Sequence, residues 1–480
     1  MLEIQRRRNK YPLLCVAEGT IFFRLFLFLV TGILVPVNCR SLAIVVVPLL
    51  MMVFAFFRRY HRLMSVSVAL FLFAVGIYTS SRPIPPLPPL GDYTLRVLTS
   101  PKPVRDHYTC EAEITDLASR PVLLLHVADD SLICSSYLHV SHLKPYMTRH
   151  ADYALYLERH RISGIAYVAS GQIRQLDHTP ALSYRLRHKV IGYYRRCGID
   201  GERLAVLSAL TLGERSLLTE RTNAAFRTAG VAHVLVVSGM HVGFLFLLVL
   251  LAYRHSRYKM QVVLIGMALI WFYAWFTGFS VSVRRAAFMF TVMLLARSSG
   301  GEYNPIGSLF LSAFIIVLFN PMAIYDASFQ MSYMAVLSIL LFMPLFRVSG
   351  RNIVLQNVAL TISAQILLTP LIIYLFGNFP VWFMLSNLFI ALLVPLVFIL
   401  APVAFLPFCS WTLWMMCGIV SFISAFPWSQ LLVSISFRML IVSYVLLFLL
   451  YDLIASRASA RSVIVFLVAV ILSSLMLAFA

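Results

Sequence analysis

Val381-Trp-Phe-Met-Leu-Ser-Asn-Leu-Phe-Ile-Ala-Leu-Leu-Val-Pro-Leu-Val-Phe-Ile-Leu-Ala-Pro-Val-Ala-Phe-Leu-Pro-Phe408 contains no charged residue. Coiled as a helix, it is long enough to cross a hydrocarbon core of roughly 30 Å. It lacks the apolar–polar alternation of a barrel strand. Lipid offers the backbone no hydrogen-bond partner, so such a stretch must close its bonds internally as a helix. Similar runs lie near 12–36, 41–57, 63–80, 233–252, 260–279, 283–297, 305–320, 328–346, 352–376, 409–426, 437–455 and 463–479. With 380–407, they make about thirteen spans, and their Pro and Gly interruptions leave room for re-entrant segments. The expected fold class is an all-α polytopic membrane bundle.

Composition points the same way. The chain has 480 residues, 60% hydrophobic and 12% charged, with mean hydropathy +0.86. Soluble domains carry about 25% charged residues, which excludes an ordinary soluble enzyme. The net charge is +20. Basic loops that hold helix ends in the cytoplasm explain such an excess, and so does attraction to a polyanion. Only placement separates the two.

The basic start, Met1 to Lys10, reads as a cytoplasmic anchor, since no small-residue cleavage site follows it. The basic turn Arg58-Arg-Tyr-His-Arg62 belongs inside, so residues 82–232 are expected on the extracytoplasmic side. Arg254 to Lys259, Arg347 to Arg351 and Arg457 to Arg461 then all fall inside. Four regions follow: N-terminal membrane helices at 1–81, a polar domain at 82–178, a basic amphipathic segment at 179–232 and a membrane domain at 233–480. The polar domain opens with the stiff linker Arg82-Pro-Ile-Pro-Pro-Leu-Pro-Pro89. It continues with short alternating strands at Tyr93 to Leu98, Tyr108 to Ile114 and Val122 to Val127. A small, nearly neutral β-barrel of the OB type fits this pattern. Cys110 and Cys134 lie within it. They are placed to form a disulfide if the domain is extracytoplasmic, and otherwise remain two thiols.

Nine basic residues, Arg185, Arg187, Lys189, Arg195, Arg196, Arg203, Arg215, Arg221 and Arg227, face only Asp200, Glu202, Glu214 and Glu220. The segment is an exception to the positive-inside rule. Interfacial helices on the membrane surface account for it, as does a basic funnel that gathers phosphates.

Polar groups inside lipid-spanning helices are costly and face a cavity or a partner. Three stretches hold them. Ala232-His-Val-Leu-Val-Val-Ser-Gly-Met-His-Val-Gly243 carries His233, Ser238 and His241, plus a close-packing pair, Gly239 and Gly243. No carboxylate lies in the motif to orient a Ser238–His241 nucleophile, so packing and a polar pore element are the stronger expectation. Thr277-Gly-Phe-Ser-Val-Ser-Val-Arg-Arg-Ala286 carries Arg284 and Arg285. Such a pair either snorkels to the interface or holds phosphate bidentately. Asn320-Pro-Met-Ala-Ile-Tyr-Asp-Ala-Ser-Phe-Gln-Met-Ser332 brings Asn320, Asp326, Gln330 and Ser332 together, and Asn387 follows in a later span. No metal-ligand spacing or nucleotide-binding loop is present, so no catalytic residue, metal or cofactor is expected.

In these blocks the chain resembles the ComEC-type competence family. The resemblance rests on Thr211-Leu-Gly-Glu214, Ala229-Gly-Val-Ala-His233 through Gly243, the Thr277 to Ala286 block, and Asn320 to Ser332 with Asn304-Pro305 upstream. Leu368-Thr-Pro370, Gly377-Asn-Phe-Pro380 and Asn387 also fit. The resemblance implies an inner-membrane channel that brings single-stranded DNA into the cytoplasm during transformation. His233, Ser238, Gly239, His241, Gly243, Arg284, Arg285, Asn320, Asp326, Gln330, Ser332 and Asn387 would line or gate its path. Arg185, Arg187, Lys189, Arg195 and Arg196 would gather phosphates. Implied partners are DNA, membrane lipid, an external DNA receptor, a cytoplasmic motor ATPase and single-strand-binding proteins; the sequence leaves a homodimer open. Many family members continue into a metallo-β-lactamase-like domain. No His-x-His-x-Asp-His run occurs here, so a separate protein is expected to supply any nuclease step. Two rivals stand beside this reading: a membrane-embedded hydrolase or lipid-intermediate enzyme using Ser238 and His241, and a small-molecule exporter.

Overall fold

The computed structural model describes residues 21–34, 43–57, 61–80, 84–99, 101–104, 107–128, 136–148, 150–177, 181–298, 304–346 and 353–455. Cys134, the N-terminal anchor, Arg58 and Arg59, the turns at 347–351 and 457–461 and the last expected span lie outside the described residues.

Three apolar helices open the fold: α1 (Ile21–Leu34), α2 (Ala43–Phe57) and α3 (His61–Ser80). A sheet domain follows, with β1 (Gly91–Val97), β2 (Lys102–Val104), β3 (His107–Ile114), β4 (Val122–Val127), β5 (Tyr137–Leu143), helix α4 (Ala151–Arg159), β6 (Gly164–Val168) and β7 (Ile173–Asp177). The strands run in the order β6-β4-β3-β1-β5-β7, with β2 on β3. Neighbours are antiparallel except β4 and β6, whose parallel pairing is reached through α4. Alternation makes the core: Leu95 sits opposite Ile114 on one side and Leu138 on the other, and all three are fully buried. Cys110 points into this core.

The segment that reads as surface helices is built otherwise. It forms α5 (Leu182–Arg196), α6 (Gly201–Leu212) and α7 (Glu220–Thr228). Every residue from Leu204 to Leu212 is buried, which no helix lying on a membrane surface would show. α6 packs against α14 (Phe383–Leu400) and α15 (Pro407–Ser424) in one continuous core.

The remaining bundle is α8 (Gly239–His255), α9 (Lys259–Phe276), α10 (Val281–Ser298), α11 (Pro305–Phe319), α12 (Ala327–Phe342), α13 (Ile353–Phe376), then α14, α15 and α16 (Phe437–Ala455). Two short strands, β8 (Asn378–Pro380) and β9 (Gln430–Leu432), pair beside the start of α14. Among the described residues six helices are long and apolar enough to cross a membrane: Lys259–Phe276, Ala327–Phe346, Val354–Phe376, Phe383–Val403, Pro407–Ser424 and Phe437–Ile454. Ile21–Leu34, Val66–Ser80, Gly239–His255 and Pro305–Phe319 are apolar but shorter. Outward-facing Leu248, Ile265 and Ile399 give these helices the apolar exterior that lipid requires.

Candidate functional site

α8 begins with a cap built by its own motif. The Ser238 hydroxyl accepts from the Met240 N–H at 3.3 Å, and the Ser238 N–H donates to His241 Nδ1 at 3.1 Å. Nδ1 is thereby an acceptor, so the neutral ring carries its proton on Nε2. That nitrogen is buried, meets no polar partner, and lies among the rings of Phe244 and Phe398. Ser238 Oγ is 3.2 Å from the same Nδ1. This is a serine–histidine contact without the third member a triad needs, because among the described residues no carboxylate orients the other ring nitrogen.

Gly239 and Gly243 turn toward α10. A methyl group on Gly239 would stand 2.9 Å from Arg285 Nη2 and 3.5 Å from the Ala286 side chain. Only hydrogen leaves room there for the guanidinium. Arg285 Nη1 donates to the Ser332 carbonyl of α12, and its guanidinium lies 5.6 Å from the centroid of the Tyr333 ring. Ser282 and Ser332 hydroxyls meet at 3.1 Å, and the Tyr333 hydroxyl meets Ser312 of α11 at 3.0 Å. Arg285 is buried and enters no ion pair among the described residues. Its Nε and that of Arg284 are buried without a hydrogen-bond partner. The Arg285 guanidinium thus meets the first turn of α8 at Gly239, with Arg284 next to it in sequence, while the His241 ring turns the other way, toward Phe398 of α14. Helix dipoles there add positive potential and repel cations, and among the described residues the two arginines lack a counter-anion.

Most of the other expected residues make contacts of their own, while His233 lies close enough to His241 to interact with it electrostatically. Asp326 caps α12 by accepting from the Ser328 N–H at 2.8 Å. Gln330 Nε2 donates to the Ile324 carbonyl at 2.8 Å, and Asn320 ends α11. Beside them the β-domain is latched on: the Arg159 guanidinium covers the Tyr325 ring at 4.6 Å, and Arg161 Nη2 donates to the Thr79 carbonyl at 3.1 Å. His233 lies on the 3₁₀ turn Ala232–Leu235 and Asn387 on the second turn of α14.

The five expected phosphate gatherers divide. Arg187 is buried and pairs with Glu214 at 3.6 Å. Arg185, Lys189, Arg195 and Arg196 are exposed. Sequence reasoning missed Tyr333 and Ser312. Their signal was position, since Tyr333 directly follows Ser332.

Comparison with known proteins agrees with this architecture. The profile described as "Competence protein" matches residues 210–479. "ComE operon protein 3" of Bacillus subtilis is 27% identical over 236 residues, covering 48% of this chain and 30% of the relative. "Competence protein ComA" of Neisseria gonorrhoeae is 27% identical over 159 residues, 31% of this chain and 23% of the relative. "Recombination protein 2" of Haemophilus influenzae is 26% identical over 216 residues, 40% of this chain and 27% of the relative. The matched regions thus span less than a third of each relative's length. No solved structure matches the chain. The competence profile covers more than half of the 480 residues, including the arginine cluster and all six long apolar helices in full, and the chain is a membrane protein of the ComEC-type competence family.

Proposed function

We propose that this chain is the inner-membrane conduit through which single-stranded DNA enters the cytoplasm during natural transformation. One observation carries the reading: Arg285, with Arg284 next to it in sequence, holds positive charge inside the bundle with no carboxylate to balance it among the described residues. A fixed ion pair would satisfy a structural role. An uncompensated cation cluster suits an anion that comes and goes, and guanidinium is the side chain matched to phosphate. The family relationship supports a phosphodiester as that anion. In the finer version the chain crosses the membrane thirteen times with its N-terminus in the cytoplasm. The sheet domain is then an OB-like barrel outside, and an external DNA receptor, a motor ATPase and single-strand-binding proteins act with it.

The test is uptake of labelled, nuclease-protected DNA in cells carrying no copy, the intact chain, or the Arg284→Ala/Arg285→Ala variant. Loss of protected DNA in the first and third, with the variant still in the membrane, is the expected result. Unchanged uptake in the deletion sinks the proposal. The 3.2 Å approach of Ser238 Oγ to His241 Nδ1 is the one feature that favours a hydrolase. Ser238→Ala is expected to reduce uptake only slightly; loss of hydrolysis of a lipid or peptide with uptake intact would favour the enzyme.

A further inference from the structure

We infer that residues 182–228 are a re-entrant helical hairpin, and that the exposed cationic face of α5 lines a water-filled groove for the phosphates of a passing strand. The second half rests on the conduit reading, whereas the first stands on contacts alone.

α14 is a single apolar helix of about 25 Å from Phe383 to Leu400, and the same short segment is bonded to both its ends. At the Phe383 end, Gly230 lies so close that a methyl group there would be 2.7 Å from the Phe383 side chain. Thr228 Oγ1 accepts from Gln430 Nε2 at 3.3 Å beside it. At the Leu400 end, the Tyr193 hydroxyl donates to the Pro402 carbonyl at 3.0 Å and Arg203 Nη1 donates to Ser410 Oγ at 2.7 Å. Between these ends α6 is buried against α14 and α15 along its length. The first turns of α5 and the end of α6 are clamped by Arg187 and Glu214 beside Thr277 and Gly278, where α9 ends. The chain therefore descends along α5, turns near Cys197 to Gly201 and returns along α6. A helix lying flat on a surface reaches only one end of a spanning neighbour.

α5 buries Arg187, Ile191 and Tyr194 on one face. The opposite face carries Arg185, His188, Lys189 and Arg196, all exposed. Spacings of three, four and eleven residues keep these in one stripe, which runs for about 16 Å. Hydrocarbon does not accept a row of cations through its depth, so the stripe faces water, and its charge fits the phosphate backbone of a single strand.

The experiment is labelling of the full-length protein in membranes with a charged, impermeant maleimide. Arg185→Cys, Lys189→Cys and Arg196→Cys are made in a Cys197→Ser background, with Val381→Cys and Phe405→Cys marking the two ends of α14 and Leu248→Cys marking lipid. The expected result is that Arg185→Cys reacts from the Val381 side and Arg196→Cys from the Phe405 side; Arg195→Cys repeats the second result if Arg196→Cys does not accumulate. Lys189→Cys is expected to react at least about tenfold faster than Leu248→Cys, as an aqueous thiol does. Reaction of both ends from one side overturns the hairpin. Reaction of Lys189→Cys no faster than Leu248→Cys overturns the groove. Lys189→Glu in the uptake assay then isolates the polyanion: a loss of about tenfold is expected, and full uptake with the labelling pattern intact overturns the phosphate role while the hairpin stands.

Discussion

Gly239 decides whether Arg285 keeps its place. The atom a new methyl group would meet is the far end of a long side chain, so the fold yields cheaply while the cation moves. Gly239→Ala is therefore expected to reach the membrane at the parent level yet lower DNA uptake by about tenfold, the factor that about 1.4 kcal/mol of lost stabilisation represents. Quantifying protein and protected DNA in the same cells checks this. Polar and ionisable side chains in apolar helices are costly enough to stand out in a sequence, which is why Arg285, His241 and Ser332 draw attention there. Tyr333 was not, because a tyrosine in an apolar helix reads as core. Nor was the burial of Arg187: within a basic run it reads as surface, and its partner Glu214 lies 27 positions away, a distance that no local pattern spans.

Among the elements, β1, β3 and β4 were legible because they alternate and bury one face, whereas β6, buried along nearly its whole length, was not. On their outer face the His107 and His126 rings stand 4.7 Å apart, with Tyr167 4.6 Å from His126. Burial first, and then His107, hold the His126 pKa below the usual 6.5. The folded domain thus resists a proton that the unfolded chain accepts, so stability is intact above pH 6.5 and falls as the pH drops below it. Amide exchange of β3 and β4 in the solubilised chain, corrected for its intrinsic pH dependence, is expected to quicken roughly a few-fold between pH 7 and pH 5, a modest effect for a partly exposed ring. His126→Phe should flatten this response. α6 was illegible for a different reason. Its apolar run is short and flanked by arginines, so a window wide enough to find a helix averages it into an amphipathic surface segment.

For the whole molecule, the Arg187–Glu214 pair joins the hairpin's two arms beneath the end of α9. Breaking it from one side strands a buried charge. Glu214→Gln is expected to cost about 3–5 kcal/mol, whereas Arg187→Met/Glu214→Leu recovers most of that loss. Thermal inactivation and steady-state amount of the three proteins in membranes measure the difference. The same global view explains why the apolar runs make a mostly helical membrane protein legible in sequence while the burial of α6 is not. Hydropathy records what lipid tolerates, and α6 is screened from lipid by protein.

The latch between Arg159 and Tyr325 has a mechanical consequence. The sheet domain is bonded through Arg161 to the end of α3 and through Arg159 to the 3₁₀ turn ahead of α12. Seven residues past Tyr325, beyond the Asp326 cap and on α12 itself, the Ser332 carbonyl accepts from Arg285. The sheet domain therefore cannot tilt on the end of α3 without either giving up the Arg159 contact or displacing the turn that leads into α12.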